Sequence, residues 1–73
     1  MKALVTGATG LLGNNIVRLL LDRGAEVRAM STSATSSPAL SRLDVERIEA
    51  DIRNGAAVAH AADGVDVALL VPV

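Results

Sequence analysis

The chain contains no cysteine, phenylalanine, tyrosine or tryptophan, and only one histidine and two prolines in 73 residues. Without cysteine there is no disulfide scaffold, no thiolate metal site and no thiol nucleophile, and the redox compartment is left open. Without aromatics the core must be assembled from Leu, Val, Ile and Ala, which the 51% apolar composition supplies in quantity. His60 stands in an alanine-rich segment with no second ligand near it, so it reads as a surface or satisfied histidine and no metal site is expected. Strong charge of one sign is also lacking. The formal net charge is −1, and Arg18, Arg23, Arg28, Arg42, Arg47 and Arg53 are interleaved with acids, which argues against a nucleic-acid-binding stripe. The longest strongly apolar stretch, 67–73, is far too short to span a bilayer. Met1-Lys2-Ala3-Leu4-Val5 starts like a signal sequence but is cut off at once by Thr6-Gly7, so a cytoplasmic protein is expected.

A chain of this length, with no second composition block, forms at most one small domain over residues 1–73. Such a domain buries only ~60% of the surface its unfolded chain exposes, so a lone monomer is expected to be marginally stable. Ala3-Leu4-Val5 is a short apolar run suited to a parallel strand buried on both faces. The helix expected after it places Leu12, Ile16, Leu19 and Leu20 on one stripe and Asn15, Arg18 and Asp22 opposite, with Gly24 at the left-handed position that ends a helix. Val27 to Met30 reads as a second strand. Ser31 to Ser37 is too rich in hydroxyls that compete for the backbone to hold regular structure, and reads as a loop. Pro38 suits the first turn of a short crossover helix running through Leu43. Val45 to Ala50 alternates weakly, as an edge strand does; Asn54-Gly55 opens a helix through Ala62 that Gly64 closes; Val65 to Val73 reads as the last strand. Connections this long imply a parallel sheet, and right-handed crossovers give the strand order 3-2-1-4 with helices on both faces.

The run Val5-Thr6-Gly7-Ala8-Thr9-Gly10-Leu11-Leu12-Gly13 sits where an apolar strand turns directly into an amphipathic helix. In that context Gly7 permits a tight backbone, Gly10 lets the main chain approach a pyrophosphate, and Gly13 lets the helix pack on the strand. The N–H groups of Leu11 and Leu12 have no intrahelical acceptor, and the helix dipole adds a positive end for phosphate oxygens. Thr9 is a candidate hydroxyl donor to phosphate, whereas Thr6 reads as structural. A strand-to-helix turn without a ligand is the competing reading.

The spacing Thr6-Gly7-Ala8-Thr9-Gly10-x-x-Gly13 resembles the extended short-chain dehydrogenase/reductase family, with its NAD(P)-dependent epimerases and dihydroflavonol-reductase-like enzymes. Asn14-Asn15-Ile16-Val17, Leu20 through Arg28 and Glu49-Ala50-Asp51-Ile52 are similar to that family's first helix, second strand and third strand end. The resemblance covers nearly the whole chain, but only the first part of the family. It implies a truncated Rossmann-like sheet, half of the complete fold, that binds a nicotinamide dinucleotide. It also implies that Asp51 accepts a hydrogen bond from the adenine amino group and that Ile52 offers a backbone contact, although Asp51 could instead cap the following helix. At the end of the second strand, where an acid selects NAD and an arginine NADP, stand Met30, Ser31 and Thr32. With no acid to repel a 2′-phosphate and hydroxyls to meet it, NADP(H) is favoured, against the alternative that the serine run is only solvated linker. Pro72 either borders the nicotinamide ribose pocket or simply terminates the strand. The family's catalytic Tyr-x-x-x-Lys pair has no counterpart, since tyrosine is absent and the one lysine is Lys2. No catalytic residue is therefore expected. The alternative is a piece of a reductase or epimerase completed by another chain. An uncovered last strand, Val67 to Val71, leads to the expectation of a homodimer.

Overall fold

A computed structural model describes residues 1–71 of the chain. The apolar N-terminal run forms β1 (Lys2–Thr6), in which Ala3, Leu4, Val5 and Thr6 are fully buried. It leads through the glycine turn into α1 (Leu11–Asp22) and back along β2 (Glu26–Ser31). After a long crossover come β3 (Glu46–Glu49), α2 (Gly55–Ala61) and β4 (Val67–Leu69). The four strands are all parallel in the order β3-β2-β1-β4, as the crossover rule predicts.

Each sheet face carries one helix. Val5, Val27 and Ala29 share one face with Val17, Ile16, Leu20 and Leu21 of α1. Leu4 and Met30 meet Ala61 and Val58 of α2 on the other. With no aromatics, the buried core is made of Ala, Val and Leu together with Met30.

Three local expectations are corrected. The buried stripe of α1 is centred on Gly13 and Val17, while Leu12 and Leu19 are 61% and 52% exposed. Close contact between Gly13 and the glycine turn fixes the rotation of the helix and carries Leu12 and Leu19, seven residues apart, onto its flank. Residues 38–43 form consecutive turns instead of a helix. Their hydrogen bonds run three residues back, from Ser41 to Pro38 and from Leu43 to Leu40. The Ala39 carbonyl, which a helix would offer to the Leu43 N–H, accepts instead from the Asn14 side chain, while the Leu40 carbonyl takes both the Leu43 N–H and the Arg47 guanidinium. β4 is shorter than expected because the ladder is replaced beyond Leu69 by a side chain. The Thr6 hydroxyl accepts from the Val71 N–H at 2.8 Å and donates to the Val71 carbonyl at 3.2 Å. Pro72 lies outside the described residues.

Turn chemistry explains the remaining boundaries. Gly24, with φ +82°, ends α1: its N–H donates to Leu21 and that of Ala25 to Leu20, the double bond of a glycine-terminated helix. Asn54 caps α2 by accepting from the Ala57 N–H at 3.2 Å. Arg28 leaves the middle of β2 to donate to the carbonyls of Ala61 and Asp63 at the end of α2, while its Nε pairs with Glu46 at 2.8 Å. The guanidinium thus closes the negative end of that helix.

Candidate dinucleotide site

The ends of β1, β2 and β3 lie side by side at the C-terminal edge of the sheet, and every candidate residue falls there. Gly7, Thr9, Gly10, Leu11, Leu12 and Gly13 form the turn out of β1 and the first turn of α1. Ser31 ends β2 and Thr32 follows it; Asp51 and Ile52 follow β3. Two backbone bonds fasten these segments together: Ala8 N–H to the Met30 carbonyl at 3.1 Å, and Ala50 N–H to the Ser31 carbonyl at 3.0 Å.

The three glycines of the turn serve three purposes. Gly7 has φ +60°, a left-handed conformation that glycine adopts without strain. A Cβ on Gly13 would stand 2.0 Å from the Gly7 carbonyl oxygen, so the helix can sit against the strand only because that carbon is missing. Gly10 differs from both. A Cβ there would meet only Gly7 O, at an ordinary 3.5 Å, and its φ of −78° suits any residue. Nothing among the described residues requires glycine at position 10.

Gly10 is also the N-cap of α1, and the cap has no side-chain hydrogen bond and no acid in the first turn. Among the described residues the N–H groups of Leu11, Leu12 and Gly13 have no acceptor, while that of Asn14 is the first to bond, to Gly10 at 2.9 Å. A row of free donors at the positive end of a helix is an anion-binding arrangement. The Thr9 hydroxyl is half-buried and has no partner among the described residues. Leu11, 85% exposed, holds its side chain clear of the turn.

The other candidates are more heavily engaged. Ser31 is buried, and its hydroxyl accepts from the Ser33 N–H at 3.1 Å, whereas Thr32 is exposed and makes no such contact among the described residues. Asp51 does not cap α2, because Asn54 does. Its carboxylate accepts from Arg53 through the backbone N–H at 2.8 Å and through the guanidinium at 2.7 Å, and these hydrogen bonds lower its pKa from the usual 3.8 to about 2. Ile52 packs beneath with Ala50 and Val58, leaving its N–H without an acceptor among the described residues.

Sequence reasoning missed Asn14, which donates to the Ala8 carbonyl at 3.3 Å and the Ala39 carbonyl at 3.1 Å and so ties the glycine turn to the serine-rich crossover. An amide one turn into a helix carries no pattern that would reveal such a bridge. The partnership of Asp51 with Arg53 was readable from their opposite charges two residues apart. Two open clefts among the described residues, of about 650 and 320 Å³, are not formed by the glycine turn: the larger is lined by Lys2, Gly24 and Asp44, the smaller by Ile48, His60 and Asp63. No helix among the described residues is long and apolar enough to cross a membrane, and no group of His, Cys, Asp and Glu among them could hold a metal.

A parallel sheet in this order, with a glycine turn feeding a bare helix end, defines a Rossmann-type domain of the short-chain dehydrogenase/reductase kind. The chain belongs to the NAD dependent epimerase/dehydratase family, whose sequence model matches residues 3–72. It is 47% identical over 66 residues to "Sterol demethylase protein B" of Methylococcus capsulatus, a match covering 90% of this chain and 20% of that protein. A short-chain dehydrogenase/reductase superfamily protein from Agrobacterium tumefaciens with bound NAD superposes with a TM-score of 0.77 at 26% identity, over 99% of this chain and 20% of that one. UDP-glucose 4-epimerase of Thermus thermophilus in complex with NAD gives 0.69 at 35% identity, over 85% and 20%. The chain therefore spans about a fifth of the length of these relatives.

Proposed function

We propose that residues 1–73 act as a half-Rossmann module that binds a nicotinamide dinucleotide, with NADP(H) favoured over NAD(H). The observation that carries this reading is Gly10: glycine stands where the fold would accept a side chain, at the point where free N–H groups converge. A Cβ there would fill the space through which a pyrophosphate reaches those donors. In this reading Gly7 and Gly13 shape the turn, Leu11 and Leu12 give their N–H groups to phosphate, and Thr9 adds its hydroxyl. Ile52 offers its N–H to adenine beside Asp51, and Ser31 and Thr32 face the adenosine ribose. Bound there, the cofactor would supply or accept hydride. A proton donor of the Tyr-x-x-x-Lys type is absent from this sequence, so the module binds without catalysing.

The uncovered outer edge of β4 supports a homodimer in which a second copy shields Val67–Val71 or the face beside it. A cytoplasmic setting, where these cofactors are held, fits the same reading. A second reading, favoured by the fifth of their length that the relatives share with this chain, is a piece of a reductase or epimerase that needs a complementary chain for activity.

The test is a fluorescence titration of the folded protein with NADPH and with NADH, against a Gly10→Glu control. Because the chain has no tryptophan or tyrosine, dihydronicotinamide emission is read without protein background. Saturable binding that the control abolishes is expected. Folded protein that binds neither cofactor overturns the proposal. Sedimentation at micromolar concentration checks the dimer, and a monodisperse monomer refutes it.

A further inference from the structure

We infer that Glu49, on the strand beside the usual selector position, sets the discrimination between NADP(H) and NAD(H); this rests on the dinucleotide reading above. In a strand-end dinucleotide site the group that reads the ribose 2′-position stands at the end of the second strand. Here that residue is Ser31, a short side chain whose oxygen is already bonded to the Ser33 N–H. Its register partner on the adjacent parallel strand is Glu49, at the same C-terminal edge. Neighbouring strands lie about 4.8 Å apart, and glutamate carries one methylene more than the aspartate that commonly does this work, so its carboxylate can reach across one strand.

The carboxylate is held on that side. β3 is the edge strand, and Glu49 could have turned to open solvent, but its Oε1 accepts from the Thr35 hydroxyl at 2.7 Å. Thr35 belongs to the segment that leaves β2 just beyond Ser31 and Thr32. Glu49 is therefore drawn toward the segment that leaves β2. Its charge is also unmatched: among the described residues the ion pairs join Arg28 to Glu46 and Arg53 to Asp51. A lone carboxylate there accepts a hydrogen bond from a 2′-hydroxyl and repels a 2′-phosphate. It works against the hydroxyls of Ser31 and Thr32, so the preference for NADP(H) is held down by this residue.

Glu49→Gln removes the charge while keeping an oxygen to accept from Thr35, and the exposed position makes the change safe for folding. Dissociation constants for NADPH and NADH are measured on both proteins, with circular dichroism confirming equal folding. The ratio of the two affinities is expected to shift toward NADPH by roughly three- to tenfold, the scale of charge repulsion across a few ångströms of hydrated surface. Raising the salt concentration shrinks the difference between the two proteins. A merely structural role would leave the ratio unchanged. An unchanged ratio, with both cofactors still bound, overturns the inference. Loss of all binding in the folded unmutated chain would overturn the dinucleotide reading itself, and this inference with it.

Discussion

Alanine at Gly13 and alanine at Gly10 should have opposite consequences although the two positions are one turn apart. At Gly13 the new Cβ would lie 2.0 Å from a backbone carbonyl oxygen, and real Cβ contacts essentially never fall under 3.0 Å, so turn and helix must separate by about 1 Å. Neither neighbour is a side chain that can swing away. Overpacking of this kind costs up to about 3 kcal/mol or more, and the helix propensity gained over glycine returns about 1 kcal/mol. The net loss is about 2 kcal/mol. A domain of 73 residues has roughly 4–11 kcal/mol in total, so the urea midpoint should fall by about 2 M.

At Gly10 the methyl lands at 3.5 Å in ordinary contact, with φ −78° and ψ 169° open to any residue. Lower entropy of the unfolded chain offsets the weaker cap that alanine makes, leaving stability within about 0.5 kcal/mol of the original. NADPH affinity should nevertheless fall at least about tenfold, because in the proposed binding mode the methyl stands where pyrophosphate makes its closest approach. Far-ultraviolet circular dichroism follows unfolding, since the chain offers no aromatic probe, and cofactor fluorescence follows binding. Equal urea midpoints for the two variants would refute the division between a packing glycine and a ligand-facing one.

Two further outcomes follow from side chains that the structure engages. Thr6→Val keeps the shape of a buried residue but removes the acceptor of the Val71 N–H, and should cost about 2 kcal/mol in a urea melt; an unchanged midpoint would show that the hydroxyl is dispensable. Asp51, held at about 2 by its hydrogen bonds from Arg53, should stay ionised well below the ordinary aspartate range in a carbon-13 titration and return toward 3.8 in Arg53→Ala. Because the folded value is the lower one, any stability the pair adds is present above pH about 4 and lost as pH falls towards 2. Solvent keeps that contribution small.

The strand order was legible because a chain of short apolar strands and long connections leaves few topologies open. The glycine turn was legible because spacing and flanking elements agreed. What escaped were features fixed by tertiary contact. Hydrophobic spacing alone allowed Leu12 and Leu19 to be the buried face of α1, and only the approach of Gly13 to Gly7 decided otherwise. Pro38 and its neighbours had the composition of a short helix, but Asn14 claimed the Ala39 carbonyl it needed and the Leu43 N–H turned to Leu40. The roles of Thr35 and Glu49 depend on two segments meeting after a crossover, which no local pattern records.

β4 has only three residues, and both of its ends are clamped to β1. At one end Lys2 and Asp66 exchange two bonds of 2.8 Å; at the other the Thr6 hydroxyl grips Val71. Such a strand has no loose end from which to peel. It should open only as a unit, so that the two clamped amides, those of Asp66 and Val71, exchange with one common rate rather than one fraying before the other. The clamps span 64 and 65 residues of sequence, so closing them joins β1 and β4 late and cooperatively.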